Sequence, residues 1–382
     1  MFRYFPANYV WSLSVNIAMN CGGQIGEVDR ICAPLVDIAA EGDDAGTEKF
    51  FQSWCDFADG LVEYAEQDLA EGHPRSAAAR FARASMYYLV AERMQSRHYA
   101  PREVAYRKGM DTFRLAVEHG RERVELVEVP YEDTSYPALF VPADGPVPAG
   151  GYPVMVFCNG LDSFKEMGYR VGMGRELAAR GIATLFVDQP GTGTALRDRG
   201  LHAVHDSERW ASAAVDYLET RPDVHPERIG MMGWSLGGYY APRAAAFEKR
   251  FALCAVWGAN YNWGELQKRR LDREGENPVP HYWEHVQWVF GKDSLEEFLE
   301  FAPLMSLEGV CEQITVPFLV THGEDDRQIP FEYAVAEYEH AANSPDRHFK
   351  VFTRDEGGSS HAGADNEVIC TNYLADWIAD RL

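Results

Sequence analysis

The chain has 382 residues, of which 46% are hydrophobic, and it carries a formal net charge of -23 with a sequence pI near 4.9. This length is typical of one large domain with an accessory domain, and the hydrophobic content is ample for a core. The acidic charge argues against nucleic acid and anionic membranes as partners. We interpret the acidic surface as a source of solubility, and the small-molecule substrate that we expect is predicted from motifs and not from this charge.

The cysteines and the N-terminal segment indicate a cytoplasmic protein. The seven cysteines are odd in number and widely spaced, and no C-x-x-C pair occurs, which favours reduced thiols over a disulfide framework or a zinc site. The N-terminal segment has a single basic residue and no A-x-A cleavage signal, so we interpret it as mature protein. No apolar run of about 18 residues is present, so no membrane span is expected. The sequence also predicts no metal and no cofactor.

The first third of the chain predicts a helical domain over residues 1–120. Residues 1–26 are aromatic and irregular, and we interpret them as an arm packed on the rest of the protein rather than as a pocket lining. Apolar residues at steps of three and four predict a helix capped by Thr47, followed by helices that begin at Pro74 and after Pro101.

From residue 121 the hydrophobic period changes and predicts a sheet. Alternating residues near 124–129 and 138–141 predict an antiparallel hairpin at a sheet edge. Strands and helices then alternate, which predicts an α/β architecture: a mostly parallel sheet with helices on both faces. The strands are expected at 154–158, 182–187, 228–232, 252–257, 317–321 and 348–353, and the helices at 168–180, 206–220 and 236–248 and from 331 and 366.

The alternation stops between residues 258 and 313, where aromatic residues are frequent. This insertion falls on the side of the sheet where active-site loops must lie, so we expect it to form a lid or pocket wall together with the N-terminal helices. The same aromatic residues could instead form a small core of their own. The main domain is therefore predicted to span residues 121–382, with this lid insertion inside it.

The sequence Gly233-Trp234-Ser235-Leu236-Gly237 lies between a short apolar run and an alanine-rich segment. G-x-S-x-G between a buried strand and a helix is the pattern of a nucleophile elbow, in which a sharp turn holds the serine in a strained backbone conformation. Gly233 and Gly237 avoid a collision where strand and helix approach each other. A chance match is the alternative, but the strand-turn-helix context favours Ser235 as a nucleophile.

A serine nucleophile needs a base at neutral pH, and the base needs an orienting carboxylate. The acid is expected after the next-to-last strand, where "HGEDDRQIP" places Asp326 four residues before Pro330, with Asp325 and Glu324 as close competitors. The base is expected after the last strand, and of the 12 histidines only His361 satisfies both position and order. These residues complete the predicted triad.

Two backbone N–H groups are expected to stabilise the oxyanion formed by nucleophilic attack. One belongs to Leu236, the residue after the nucleophile. The other is expected in the loop after strand 154–158, where Leu161 is our candidate, while Asn159 and Asp162 have local hydrogen bonds as their alternative role. The segment "VDQPGTGTALR" is rich in glycine but has neither a Walker lysine nor G-x-G-x-x-G, so it predicts a loop at a strand end and not a phosphate site.

The elbow, "HGEDD" with the "IP" that follows it, and "SSHAG" resemble the α/β-hydrolase superfamily over roughly residues 121–382. The helical N-terminal domain, "NGLDSFKE", "DQPGTGTALR" and "GGYYAPRAA" resemble one branch of it. That branch contains 2,6-dihydroxypseudooxynicotine hydrolase, fungal yellowish-green heptaketide hydrolases and proteins similar to the fermentation-respiration switch protein. The resemblance implies hydrolysis of a carbon–carbon bond beside a ketone, and a homodimer with the N-terminal helices over the active site.

The resemblance also implies an active-site role for Glu265 in "GANYNWGEL", with a carboxylate on the lid surface as the alternative. Asp162, Trp234 and Tyr261 lie in or beside the motifs and are further candidates for contacts with substrate.

Three functions follow as hypotheses. The first is a serine hydrolase that cleaves a carbon–carbon bond in a ketonic aromatic or polyketide-like molecule, where an electron-withdrawing neighbour stabilises the leaving carbanion or enol. The second is an esterase, thioesterase or peptidase that uses the same triad. The third is a non-catalytic interaction protein, against which the intact triad argues.

Overall fold

The computed structural model describes residues 1–382, which divide into two compact units. Unit 1 comprises Met1–Val124 with Glu276–His285, and unit 2 comprises Glu125–Gly275 with Val286–Leu382. The first boundary thus falls four residues after the one expected at residue 120. A short part of the expected lid insertion, Glu276–His285, clusters with the N-terminal helices instead of with the sheet.

Unit 1 is built from helices. They are α1 (Tyr9–Asn20), α2 (Ile25–Cys32), α3 (Val36–Ala39), α4 (Thr47–Ala70), α5 (Pro74–Arg93) and α6 (Pro101–Gly120). Pro74 and Pro101 occupy first-turn positions, where the missing N–H costs nothing. The predicted cap of α4 is displaced by one residue: Gly46, in the left-handed region at φ 70°, is the N-cap, and Thr47 is the first helical residue.

The expectation that residues 1–26 are irregular was wrong, because α1 lies within them. The Asn8 side chain caps α1 by accepting a hydrogen bond from the Trp11 N–H at 2.9 Å. Seven consecutive residues from Val10 to Asn16 are buried, so the polar serines and the asparagine interrupt any one-sided apolar period. Phe5 and Trp11 are buried with their ring centroids 5.5 Å apart, which agrees with their interpretation as packing residues.

Unit 2 contains one eight-stranded sheet in the order β1-β2-β4-β3-β5-β6-β7-β8. The strands are β1 (Glu125–Tyr131), β2 (Thr134–Val141), β3 (Tyr152–Cys158), β4 (Ala183–Val187), β5 (Val224–Trp234), β6 (Phe251–Trp257), β7 (Phe318–Gly323) and β8 (Arg347–Phe352). The first two strands form the predicted antiparallel hairpin at one edge, and β3 to β8 are parallel. The predicted α/β-hydrolase architecture is therefore confirmed.

Helices connect the parallel strands of unit 2. They are α7 (Lys165–Arg170), α8 (Met173–Ala179), α9 (Gly193–Arg199), α10 (Glu208–Glu219), α11 (Gly237–Phe247), α12 (Trp263–Leu271), α14 (Leu295–Phe301), α15 (Phe331–His340) and α16 (Glu367–Ala379), and α13 (Tyr282–Val289) begins in unit 1. The single helix expected at 168–180 is two helices, because Gly172 interrupts it at φ 93°. The segment "VDQPGTGTALR", expected to be a loop throughout, contains the start of α9.

The parallel strands bring their carboxyl ends to one edge of the sheet, where α/β proteins bind their ligands. The loops that leave β3, β5, β7 and β8 begin there, and they carry all the residues of the predicted triad and oxyanion site. Part of the insertion forms a small core within unit 2, since the ring of Trp263 lies 5.1 Å from Phe290 and 5.7 Å from Phe298.

Candidate active site

Ser235 occupies the turn between β5 and α11 in a conformation that side chains rarely adopt. Its φ is 56°, in the left-handed region, which is strained for a residue with a Cβ. Two backbone hydrogen bonds hold it there: the Ser235 N–H donates to the Trp257 carbonyl at 3.0 Å, and the Gly238 N–H donates to the Ser235 carbonyl at 2.8 Å. The predicted elbow is thus present as a backbone geometry.

Glycines are needed around Ser235 because atoms of other segments approach these positions closely. A Cβ on Gly233 would lie 2.5 Å from both the Cys158 sulfur and the Gly237 carbonyl oxygen. The tightest position was not predicted: a Cβ on Gly238 would lie 2.1 Å from the Gly258 carbonyl oxygen. That contact joins the start of α11 to the residue after β6, which lies outside the motif, so the pattern G-x-S-x-G alone could not reveal it.

A continuous chain of hydrogen bonds joins the three predicted triad residues. The Nε2 atom of His361 lies 2.8 Å from the Ser235 Oγ, and the Nδ1 atom lies 2.8 Å and 3.1 Å from the two carboxylate oxygens of Asp326. An ionised carboxylate can only accept, so Nδ1 carries the proton and Nε2 is free to accept from the serine hydroxyl. This arrangement can remove a proton from Ser235 and return it to a leaving group.

The carboxylate of Asp326 is buried but well supplied with donors. Its Oδ1 accepts hydrogen bonds from the N–H groups of Gln328 at 2.7 Å and Ile329 at 3.0 Å. Burial alone would raise the pKa of Asp326, but His361, the nearby His322 and the Gln328 N–H together hold that pKa below its usual range. The group is therefore ionised at neutral pH, as an orienting carboxylate must be.

The structure separates Asp326 from its two competitors. Asp325 forms an ion pair with the guanidinium of Arg354, with 2.8 Å between the Arg354 Nε and the Asp325 Oδ2. Glu324 accepts a hydrogen bond from the Arg354 backbone N–H. Neither carboxylate hydrogen-bonds to His361, because both face the Arg354 side of the loop. The three consecutive acidic residues thus have different partners, and only the structure shows which of them contacts His361.

The loop that carries His361 is fixed by Asp365, a residue that was not predicted from the sequence. Its carboxylate accepts hydrogen bonds from the N–H groups of Gly358 at 3.0 Å, Ser359 at 3.1 Å and Ser360 at 2.7 Å. Burial would raise the pKa of Asp365, but these N–H groups lower it below its usual range. An aspartate four residues after the expected histidine, in a loop rich in glycine and serine, is the signal that could have identified it.

We expect Asp365→Asn to destabilise the protein by about 1–3 kcal/mol at pH 7, because the amide has one acceptor oxygen for three N–H groups. Since the folded-state pKa of Asp365 is lowered, its stabilising effect is present above the unfolded pKa of about 3.9 and is lost as the pH falls below it. The difference in free energy of unfolding between wild type and variant should therefore shrink below about pH 4. Urea unfolding at pH 7 and near pH 3.5 measures both values. Asp355→Asn, on an exposed side chain of the same loop, is the control and should change neither.

The backbone N–H groups of Leu161 and Leu236, the two predicted oxyanion donors, have no acceptor within the protein. Leu236 directly follows Ser235 at the start of α11. The loop after β3 approaches from the other side, since a Cβ on Gly160 would lie 3.0 Å from the Ser235 Cβ and 3.3 Å from its Oγ. Both predicted oxyanion donors therefore belong to segments that border the serine.

Trp234 and Tyr261, predicted as candidates for substrate contacts, have other partners. The Trp234 indole packs against Trp257, and its Nε1 donates a hydrogen bond to the Ser163 hydroxyl at 3.0 Å. The Tyr261 hydroxyl is hydrogen-bonded to the imidazole of His340 on α15. Both side chains are largely buried, at 8% exposure, and a contact with substrate stays a prediction for each.

Glu265 forms no hydrogen bond with the triad residues. Its carboxylate pairs with Arg269 at 3.1 Å on the same helix and accepts a hydrogen bond from the Tyr333 hydroxyl at 2.8 Å, and its side chain is 46% exposed. This geometry corresponds to the surface-carboxylate alternative. Asp162 is half-buried in the loop after β3, next to Leu161.

No group of three or more His, Cys, Asp or Glu side chains is arranged to hold a metal ion. No helix has the length and apolarity needed to cross a membrane.

Comparison with known proteins places this chain among hydrolases. Residues 176–382 match the prolyl oligopeptidase family, and residues 51–262 match the FrsA-like esterase family; each match covers more than half of the chain. A similar protein is 2,6-dihydropseudooxynicotine hydrolase of Paenarthrobacter nicotinovorans, 28% identical over 87% of this chain and 84% of that protein. Another is 20-hydroxy-prefusarin hydrolase of Gibberella moniliformis, 25% identical over 94% and 92% of the two chains.

Among solved structures, the crystal structure of 2,6-dihydroxy-pseudo-oxynicotine hydrolase superposes with a TM-score of 0.75 at 24% identity, covering 96% of this chain and 95% of the other. That likeness extends the agreement in fold to both units of the chain. The resemblance expected from the motifs is thereby confirmed. The protein is a hydrolase with the α/β-hydrolase fold, and it belongs to the branch described by the prolyl oligopeptidase and FrsA-like esterase families.

Proposed function

We propose that Ser235, His361 and Asp326 are the catalytic triad of a serine hydrolase that cleaves a carbon–carbon bond beside a ketone in an aromatic or polyketide-like substrate. The observation that supports the triad most strongly is the uninterrupted hydrogen-bond chain from the Asp326 carboxylate through the His361 ring to the Ser235 hydroxyl. The N–H groups of Leu161 and Leu236, which have no acceptor within the protein, supply the oxyanion donors that acyl transfer requires.

The reaction on this machinery has two halves. In the first, the Ser235 oxygen attacks the ketone carbon while His361 Nε2 takes its proton, and the N–H groups of Leu161 and Leu236 stabilise the oxyanion. When the intermediate collapses, the carbon–carbon bond breaks and its electron pair leaves with the carbanion or enolate, which His361 protonates. In the second half, water attacks the acyl-serine, and His361 again takes and returns the proton.

The substrate class rests on the relatives rather than on the triad, which serves many acyl substrates. The names of two relatives that extend over most of the chain are those of hydrolases for a pseudooxynicotine and for a prefusarin. A ketone with an electron-withdrawing neighbour fits the mechanism, because the leaving carbanion then has a place to delocalise its charge.

An esterase, thioesterase or peptidase is the second candidate, since the two family matches carry the descriptions of an esterase and of a peptidase family. His361 can protonate an oxygen or nitrogen leaving group as it departs, so the same residues would suffice. Four further features stay predictions: a homodimer, a cytoplasmic location, a lid formed by the insertion, and an auxiliary role for Glu265.

Turnover of aryl β-diketones compared with p-nitrophenyl esters tests the bond that is cleaved. A carbon–carbon hydrolase should convert a diketone into a carboxylic acid and a methyl ketone with a kcat/KM at least about tenfold above that for the esters, because binding energy is then directed at the ketone. Product analysis by mass spectrometry, with ¹⁸O water, shows whether one oxygen enters the acid. Fast ester turnover with no diketone cleavage would support the second candidate instead.

A further inference from the structure

Two sequence motifs have no part in the triad, although they lie beside it. "NGLDSFKE" begins at Asn159, directly after β3, and "DQPGTGTALR" begins at Asp188, directly after β4. The two strands are parallel neighbours, with Cys158 opposite Val187, so both motifs leave the sheet at the same edge. The first of them contains Leu161, whose N–H is a proposed oxyanion donor.

Gln189 holds the main chain of Asn159 with a pair of hydrogen bonds. The Asn159 N–H donates to the Gln189 Oε1 at 3.1 Å, and the Gln189 Nε2 donates to the Asn159 carbonyl at 3.0 Å. The Gln189 side chain is fully buried, so no water competes for these bonds. The Asn159 side chain adds a third bond, from its Nδ2 to the Val187 carbonyl at 2.7 Å. The residue two positions before Leu161 is therefore fixed on both sides.

Ser163 joins the same loop to the elbow. Its hydroxyl oxygen accepts hydrogen bonds from the Gly160 N–H at 2.8 Å and from the Trp234 Nε1 at 3.0 Å, and its proton is directed to the Asn159 Oδ1 at 3.2 Å. Trp234 immediately precedes the nucleophile. One hydroxyl thus links the chain on the N-terminal side of Leu161 to the residue next to Ser235.

The far end of the loop is anchored by Asp188. Its buried carboxylate accepts from the Lys165 N–H at 2.9 Å, from the Lys165 ammonium at 2.8 Å and from the Thr194 N–H at 2.9 Å. Gly193 makes room for it, since a Cβ there would lie 2.1 Å from the Asp188 side chain. The amides of Asn159, Gly160 and Lys165 are all engaged, whereas that of Leu161 has no acceptor.

From this pattern we propose that Gln189 and Ser163 are positioning residues of the oxyanion hole: they hold Asn159 and Gly160 so that the Leu161 N–H is directed at the reacting oxygen. The inference rests on the proposed triad and adds to it the role of the two unassigned motifs. Donors at an oxyanion stabilise the transition state only if they need no reorganisation at the moment of reaction. A displacement of about 1 Å can cost about 100-fold in rate, so the anchors matter although they do not touch the substrate.

Gln189→Met removes both bonds to Asn159 at nearly constant volume, and Ser163→Ala removes the acceptor shared by Gly160 and Trp234. We expect each variant to lower kcat for a p-nitrophenyl ester by about 10- to 100-fold with KM changed less than about threefold. The second-order rate of fluorophosphonate labelling should fall by a similar factor, because the phosphoryl oxygen occupies the same hole. Ser163→Thr, which retains the hydroxyl, should restore most of both rates.

Thr184→Val is the matched control. Thr184 lies on β4, is fully buried, and its hydroxyl has no hydrogen-bond partner, so the change tests a buried polar-to-apolar substitution without an effect on the loop. It should keep wild-type kcat and labelling. The double variant Ser163→Ala with Gln189→Met should lose less than the product of the two single losses, because both act on the same segment.

The outcomes separate the inference from the proposed function. A wild type that fluorophosphonate does not label would overturn the triad, and the inference with it. If the wild type is labelled and both Gln189→Met and Ser163→Ala retain its kcat and labelling rate, the positioning role is wrong while the triad stands. Losses confined to the melting temperature, with kcat per folded molecule unchanged, would likewise overturn the positioning role.

Discussion

Ser235→Ala is expected to abolish fluorophosphonate labelling and to lower kcat for any acyl substrate by at least about 10⁴-fold. The reason is that the variant keeps the His361–Asp326 pair and the N–H groups of the elbow but has no atom that can form the covalent intermediate. The fold should be maintained, because the serine hydroxyl does not stabilise the strained backbone conformation at this position, where φ is 56°. Intact-mass spectrometry after labelling measures the effect directly.

Ser360→Ala is the matched control for that experiment. Ser360 is a buried serine next to His361, and its role in the loop is carried by its backbone N–H, which donates to Asp365. Its variant should be labelled at the wild-type rate. Labelling that persists in Ser235→Ala would show that another residue is the nucleophile and would contradict the proposed triad.

Asp326→Asn should lower kcat by about 10³- to 10⁴-fold, with little change in KM. The Gln328 and Ile329 N–H groups point at the Oδ1 of residue 326, so the oxygen of the new amide will face them and its NH₂ group will face His361. The imidazole must then accept at Nδ1 and carry its proton on Nε2. In that tautomer it cannot accept the proton of Ser235, so the nucleophile loses its base although every group remains in place.

Asp325→Asn distinguishes this tautomer effect from a general loss of negative charge in the loop. Asp325 forms an ion pair with Arg354 and does not hydrogen-bond to His361, and solvent screens a surface pair of this kind. Its variant should retain kcat within about threefold, because the Asp326–His361 bond is untouched. Steady-state kinetics at pH 7 on one ester suffices. Equal losses in the two variants would contradict Asp326 as the orienting acid.

The features that could be predicted from sequence are those governed by neighbouring residues. The alternation of apolar strands with helices predicts the parallel sheet, because each strand is buried on both faces and each helix on one. The pattern around Ser235 predicts the elbow, because strand, turn and helix follow one another directly in the chain. The N-terminal helix α1 escaped prediction for a related reason, since burial on all sides removed the one-sided period that identifies a helix.

The features that escaped prediction depend on contacts between distant segments. Asp365, Gln189 and Ser163 are ordinary polar residues in sequence, and they gain their importance only from the N–H groups that the fold brings to them. The partners of Glu265 likewise come from the fold, since its side chain pairs with Arg269, while the auxiliary role that the resemblance implies for it stays a prediction.

By itself, the sequence determined the order of nucleophile, acid and base along the chain, because strand ends impose that order on the loops that carry them. Only the tertiary structure decided which of three adjacent carboxylates contacts His361, which loop amides remain free beside Ser235, and which side chains hold the residues that precede Leu161. Hydrogen bonds act over about 3 Å. A sequence pattern therefore predicts which loop reaches this edge of the sheet. It does not predict which of several neighbouring residues in that loop makes the hydrogen bond.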